Sequence, residues 1–450
     1  MHSYDPRLAE LLFAYMRKRL TLDPVPLDQP VGEDALHGRL AGLIGAQGHD
    51  PAEVLRVYDE HLSRAVISCD SPRYLSLMPA APTKAAVMFD MVVSSASVQG
   101  ASWLEASGAV AAENQVLALL ARLAGLPREA GGCFVSGGTA ANLSALAVAR
   151  ETAREKRDRP TTGAPMRVAV GHQAHSSIMS ALRLLDLDPL LVTEEDHRLT
   201  GPALRVALDA AERDTGTVIA VVASAGTTNA GIVDDLTGVG RIAQEHGMWF
   251  HVDGAYGAAA LLAPSVRRRL AGIERADSLV VDPHKWLMAP YDCAALLYRS
   301  PELARAVHAQ DAEYLDIFHA HDTVRWNPSD YAHHLSRRAR GLPLWFSLAV
   351  HGTDAYARAV EAGIRLARHT ADLIHQHPRL ELLREPELSV VLFRRRGWSA
   401  DDYRKWCADL LARQIAFVCP TRWEGQAAAR LVFLHPDTTT GIVKEVLDTL

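Results

Sequence analysis

Between about residue 107 and residue 282 the chain returns again and again to a short apolar run closed by turn residues. The runs are GCFVS (132–136), RVAVG (167–171), DPLLVT (188–193), VIAVVASAG (218–226), WFHVDGA (249–255) and SLVVD (278–282). They are rich in Val and largely continuous in apolar character, as strands covered on both faces are. Helical stretches lie between them, at 110–124, 176–186, 201–214 and 235–246. Strand and helix in alternation predict an α/β fold with a mostly parallel central sheet flanked by helices.

The flanks differ in character. Residues 5–20 and 52–66 read as helices, the second opening with Pro51 after Asp50, and the linker at 21–34 holds three prolines. Residues 1–78 therefore read as a helical arm without a sheet of its own, suited to pack on a partner subunit. Residues 79–342 read as the large domain. From 343 a long helix (353–376), LSVVLFRRR, a helix at 399–414, IAFVCP and RLVFLHP predict a smaller α+β domain to residue 450.

Composition narrows the partners. With 48% apolar and 22% charged residues and a net charge of −6, the 450-residue chain reads as a soluble globular protein. It has no basic tail, so nucleic acid is not an expected partner. No run of eighteen apolar residues predicts a membrane span, and the N-terminus reads as an amphipathic helix rather than a signal peptide. Five scattered Cys without CxxC spacing argue against a disulfide framework and suit a reducing, cytoplasmic compartment.

Open α/β sheets collect their chemistry at the carboxyl ends of the strands. After GCFVS come Gly137, Gly138, Thr139 and Ala140, entering a helix whose N–H groups can face an anion. This turn lacks the spacing of G-x-G-x-x-G and of a Walker loop, which disfavours a dinucleotide-dependent oxidoreductase. A Gly-Gly turn alone is commonly just a turn. After RVAVG stand His172 and His175, which lack an obvious third metal ligand, so no metal is expected. Thr227 and Thr228 follow VIAVVASAG. Asp253 ends WFHVD, where a helix cap is the plain alternative to a carboxylate with a cationic partner. His284 and Lys285 follow SLVVD. Lys between apolar residues is either a rim cation or a reactive amine. A phosphate cradle, a His, an acid and a Lys at the ends of different strands form the set that pyridoxal phosphate requires.

DPHKW (282–286), HVDGAYG (251–257), GTT (226–228), HQAHSS (172–177) and the GGTxxN turn at 137–142 together resemble the group II pyridoxal-phosphate-dependent amino-acid decarboxylases. That family includes the aromatic-L-amino-acid, glutamate, cysteine sulfinate and diaminobutyrate decarboxylases. The similarity runs from about Ser71 to the C-terminus. It implies a fold type I enzyme, a homodimer with sites at the subunit interface, pyridoxal 5'-phosphate bound covalently on Lys285, and an L-amino acid as substrate. By the same resemblance Asp253 pairs with the pyridine nitrogen and Ala255 packs near the ring. His175 stacks on the ring face, Gly138, Thr139 and Ala140 hold the phosphate, and Thr228 and His284 lie close to the cofactor. The catalytic residues it implies are Lys285, His175 and Tyr314. Tyr314 falls in a segment (311–338) resembling the family's mobile loop, where Tyr favours an amine product and Phe an aldehyde. Arg337 and Arg338 match an RR pair that the family places just before the helix into the small domain, where a structural ion pair is the alternative to a functional role.

The substrate segment departs from the aromatic branch. Leu77 and Met78 stand where that branch has aromatics, Ala101 stands where it has Phe, and Gln99 is a polar change. Ala101 would admit a large aromatic substrate, whereas Leu77, Met78 and Gln99 suit an aliphatic or diamino one. An aldehyde-forming oxidative deaminase and an aminotransferase are the alternatives.

Overall fold

Each of the six apolar runs forms a strand of one sheet. In the computed structural model, which describes residues 2–78, 81–156, 165–211, 216–310 and 326–450, they are β1 (Gly131–Val135), β2 (Met166–Gly171), β3 (Asp188–Val192), β4 (Thr217–Ser224), β5 (Trp249–Asp253) and β6 (Ser278–Val281). A seventh strand, β7 (Ala294–Tyr298), completes the order β1-β7-β6-β5-β4-β2-β3. β7 runs antiparallel to both its neighbours, and every other pair is parallel. The sequence reading placed no strand at AALLY. A hairpin-like return from β6 brings it into the sheet, and its five residues are buried throughout.

Helices cover both faces, which is why the central strands are buried along nearly their whole length. The helix Gly138–Glu155 buries Ala141, Ala145, Leu146, Val148 and Ala149 against one face. Its alanines let it lie close to the strands. On the other face the helix Leu236–Glu245 buries Leu236, Val239, Ile242 and Ala243, at the spacing of one helical stripe. Asp235 caps its start by accepting from the Gly238 N–H at 2.9 Å. Each buried Leu, Ile or Val among these contributes about 1.5–3 kcal/mol relative to an exposed one.

The C-terminal region holds a four-stranded antiparallel sheet, ordered β10-β11-β9-β8, from β8 (Leu380–Arg384), β9 (Val390–Arg395), β10 (Pro420–Trp423) and β11 (Gln426–Val432). Helices Thr353–Gln376, Ala400–Ala412 and Thr440–Leu447 back it. Of IAFVCP, expected as a strand, only Pro420 enters this sheet, as the first residue of β10. Phe417 forms a bridge with Tyr74 instead. Phe417 N–H donates to Arg73 O (2.9 Å), Leu75 N–H to Phe417 O (2.9 Å), and Val432 N–H to Leu75 O (3.0 Å). The end of the N-terminal arm is thus stitched between two C-terminal segments. Before that stitch, the helices Pro6–Leu20, Glu33–Leu40 and Pro51–Val57 contain no buried residue, whereas Val25 and Leu27 of the linker are buried.

The ion pair of Arg337 with Glu113 is fully buried. Arg337 presents both terminal nitrogens to the two carboxylate oxygens of Glu113, each at 2.7 Å, and also donates to Gly100 O at 2.7 Å. Glu113 accepts from the Gly341 N–H as well (2.8 Å). The structural reading of the RR pair therefore holds for Arg337. Arg338 reaches Asp90 (2.8 Å) and Ser94 (3.0 Å) near the surface. Removing one partner strands a buried charge, so Arg337→Met is expected to lower stability by about 3–5 kcal/mol. Arg337→Met combined with Glu113→Leu is expected to cost less than Arg337→Met alone. Thermal unfolding of the two variants checks this, and equal or greater loss in the double variant contradicts it.

Candidate active site

Parallel strands that begin together also end together. In the register of the sheet, Ser224 at the end of β4 lies beside Asp253 at the end of β5, and Asp253 beside Val280 of β6. The loops that leave these ends wall a cavity of about 380 Å³. Gly138, Thr139, His175, Thr228, Asp253, Ala255, His284 and Lys285, drawn from five different strand ends, all line it. So do Asn142, Ser177, Asp282 and Tyr291, which the sequence reading did not single out. Gly257, the last residue of HVDGAYG, has no room for a side chain, because a Cβ there would run into Ala225 O.

Lys285 is neither free nor deeply buried. Its Nζ sits 2.7 Å from Asp282 Oδ2, and its side chain is 22% exposed, toward the cavity. Asp282 is almost wholly buried, and its Oδ2 also accepts from the Gly138 N–H at 3.3 Å. The other carboxylate oxygen, Oδ1, is buried and has no partner among the described residues. His284 lies beside this pair, its Nε2 3.6 Å from Asp282 Oδ2. Its Nδ1 accepts from the Cys293 N–H (3.0 Å), which leaves the ring proton on Nε2. Burial pulls the His284 pKa down, against the opposing pull of Asp282. The Tyr291 ring packs on His284 with centroids 4.7 Å apart, and burial pushes its hydroxyl up to about 12.

Asp253 is held at both oxygens. Oδ1 accepts from the Ala255 N–H at 3.1 Å, and Oδ2 accepts from Asn142 Nδ2 at 3.0 Å. Asn142 Nδ2 also reaches Ser177 Oγ (3.0 Å), and Ser177 Oγ lies 2.8 Å from His175 Nδ1. Behind Asn142 stands His251, its Nε2 2.9 Å from Asn142 Oδ1. Burial lowers the His251 pKa to about 4, with Asp253 opposing, so the ring is neutral near neutral pH. His251 sits two residues before Asp253, and that spacing was the sequence signal for a shared face.

Several expected site residues lie elsewhere. Ala140 is the third residue of its helix and packs its side chain on the core beneath, outside the cavity wall. Its contribution is confined to the backbone N–H at the open helix end. Met78 is packed in the large core cluster, and Leu77 is exposed with φ +51°. Ala101 is buried, and Gln99 Oε1 accepts from the Arg337 N–H at 2.9 Å. Gln99 lines a separate groove of about 740 Å³ with Glu105, Gln115 and Trp345. None of these four lines the cavity around Lys285. His172 is exposed and also outside it. Tyr314 lies outside the described residues.

The cavity fits a phosphorylated pyridine aldehyde. Its volume lies within the usual range of small-molecule sites, about 300–1,000 Å³. A helix start opens into it at a glycine whose Cβ would stand 3.1 Å from Asp282 Oδ2 and 3.2 Å from Ala255 Cβ. The first N–H groups of such a helix have no intrahelical partners and favour an anion. An amine, an incompletely partnered buried carboxylate and a second carboxylate line it together.

Comparison with known proteins agrees. The pyridoxal-dependent decarboxylase conserved domain matches residues 46–396. The chain is 30% identical over 433 residues to an aromatic-L-amino-acid decarboxylase of Bacillus atrophaeus, covering 94% of this chain and 89% of the relative. It is 32% identical over 377 residues to an L-2,4-diaminobutyrate decarboxylase of Rhizobium meliloti, covering 81% and 74%. The fold is similar to a crystal structure of Oryza sativa TDC with PLP and tryptamine, with a TM-score of 0.89, 22% identity, and 99% and 97% of the two chains covered. The chain belongs to the pyridoxal-phosphate-dependent amino-acid decarboxylases.

Proposed function

We propose that this chain decarboxylates an aromatic, aliphatic or diamino L-amino acid to the corresponding amine, with Lys285 as the covalent tether of pyridoxal 5'-phosphate. The observation that carries the reading is that Lys285, its Nζ 2.7 Å from Asp282, lines one cavity with the strand-end carboxylate Asp253. Bound pyridoxal phosphate supplies an electron sink for the pair left when the Cα–carboxylate bond breaks. The rest falls to side chains.

Asp253 offers its carboxylate to the ring nitrogen. His175, which lines the cavity and is anchored through Ser177, would lie against the ring. Gly138, Thr139 and Ala140 present the open helix end to the phosphate, with Thr228 and His284 closing the sides. The Asp282 carboxylate holds the Lys285 amine at its post, 2.7 Å away, until the amine is consumed. Tyr314 would be the proton donor to Cα. Holding the scissile bond in one orientation is what separates decarboxylation from transamination at such a site.

The chain is read as a homodimer. Apolar side chains stand exposed on the arm, among them Phe13 at 54% and Ile44 at 99%, while its helices bury none. A second subunit that covers them would bring further side chains toward Leu77, Met78, Gln99 and Ala101, the residues assigned to substrate choice. All five cysteines are free, which fits a cytoplasmic enzyme.

Three measurements test this. Incubation of the holoenzyme with aromatic, acidic, aliphatic and diamino L-amino acids, followed by mass spectrometry, is expected to yield an amine from one class. Keto acid as the main product contradicts the reading. In Lys285→Ala, borohydride is expected to fix no cofactor on the chain, as read from intact mass; a retained adduct places the tether elsewhere. Tyr314→Phe is expected to keep cofactor affinity and move product from amine toward aldehyde, and an unchanged amine yield removes Tyr314 from the protonation step.

A further inference from the structure

Behind the cavity wall a line of buried polar side chains crosses an otherwise apolar layer. Trp249 Nε1 lies 2.8 Å from Ser278 Oγ, and Ser278 Oγ lies 2.7 Å from His251 Nδ1. His251 Nε2 lies 2.9 Å from Asn142 Oδ1, and Asn142 Nδ2 lies 3.0 Å from Asp253 Oδ2. Both ends fix the direction of this chain. An indole N–H only donates and a carboxylate only accepts. Ser278 therefore accepts from Trp249 and donates to His251 Nδ1. His251 carries its proton on Nε2 and donates to Asn142, and Asn142 donates to Asp253. Each residue hands its donor forward, and no member can be turned around without losing a bond.

Asn142 is also a branch point. Its second N–H goes to Ser177 Oγ at 3.0 Å. Ser177 then points both its hydroxyl (2.8 Å) and its backbone N–H (3.2 Å) at His175 Nδ1. That nitrogen keeps its lone pair, so the His175 proton resides on Nε2. One amide, 1% exposed, thus holds both side chains assigned to the ring: Asp253 directly, and His175 through Ser177.

A satisfied core network is the plain alternative, since buried polar groups are normally partnered. Placement argues for more than that. Trp249, His251 and Asp253 alternate with Phe250 and Val252, which join the apolar cluster on the other face of the sheet. Around Asn142 its own helix buries Ala141, Ala145 and Leu146. Apolar residues would serve packing there, and a polar line of this length in a core carries a desolvation cost. Both branches end in the cavity.

We propose that Asn142 is a positioning residue for the cofactor ring, aligning Asp253 and setting the His175 tautomer, with its own amide locked by the Trp249–Ser278–His251 line. The proposal rests on the reading of Asp253 as the ring-nitrogen partner. Without Asn142, Asp253 retains only the Ala255 N–H and is free to turn from the ring.

The test uses two probes, pyridoxal phosphate and its deaza analogue, in which C–H replaces the ring nitrogen. Dissociation constants for both are measured by absorbance titration of the apoenzyme. The unmodified chain is expected to prefer the nitrogen-containing ring, and Asp253→Asn to erase that preference. Asn142→Leu is expected to reduce the preference by about 10- to 100-fold, the value of a hydrogen bond to a charged group, with the nitrogen-containing ring weakened by that factor more than the analogue, which loses only the His175 branch. Asn142→Thr, which keeps one donor, is expected to recover part of it. Equal weakening of both probes in Asn142→Leu makes the residue merely structural and overturns the proposal. Should that variant not fold, His251→Phe decides by the same ratio. If Asp253→Asn leaves the preference intact, the assignment of Asp253 fails, and the positioning role fails with it. If Asp253→Asn erases the preference but Asn142→Leu does not, only the positioning role is lost.

Discussion

The site depends on the parity of β5. Side chains alternate along a strand, so Trp249, His251 and Asp253 share one face, and Phe250 and Val252 share the other. A slip of one residue against β4 or β6 would turn Asp253 into the apolar layer and Val252 toward the cavity. The register is secured by the groups that a slip would expose. Phe250 and Val252 are almost fully buried in the large core cluster, and Ser278 of β6 lies opposite His251. Hydrophobic burial on one face therefore fixes the position of a carboxylate on the other.

Around this strand the chain arranges charge with little waste. Asp282 serves the Lys285 ammonium and the first N–H of the 138–155 helix at once. Glu113 serves Arg337 through both oxygens and the Gly341 N–H besides. Both carboxylates are buried, and both would be costly alone. They differ in completeness. Glu113 has both oxygens partnered, whereas Asp282 keeps one oxygen unpartnered among the described residues. The first arrangement ties segments together. The second leaves capacity at the place where a ligand would arrive.

The strand ends were legible because they need only local information. A strand covered on both faces must be apolar along its length, and the residues just past its carboxyl end face the ligand side. Lys285, Asp253, His175 and the glycine turn emerged in that way. β7 was missed because its antiparallel return depends on the geometry of the β6 exit, and AALLY alone does not announce a partner. Phe417 was misplaced for the same kind of reason: its partner, Tyr74, lies in a region that reads as arm. Asn142, Ser177 and Asp282 stand inside the quoted motifs, but what each does depends also on a partner from another strand end: Asn142 meets Asp253 across 111 positions, Ser177 meets Asn142, and Asp282 meets the Gly138 N–H. The residues assigned to the substrate, Leu77, Met78, Gln99 and Ala101, came from alignment with relatives. They line no part of the cavity that one chain builds.

The stitch at Arg73–Leu75 has a consequence for how the molecule is made. Arg73 donates to Ile415 O, a partner 342 positions later. A ribosome adds about 5–20 residues per second, so this early segment waits on the order of tens of seconds for the strands that flank it. Until then its backbone N–H and C=O groups face water or a passing chaperone. The α/β sheet, whose strands are all made by residue 298, can assemble in that interval. Closure of the C-terminal region around the segment is then a late event in biogenesis, and it draws the first-made part of the chain against the last.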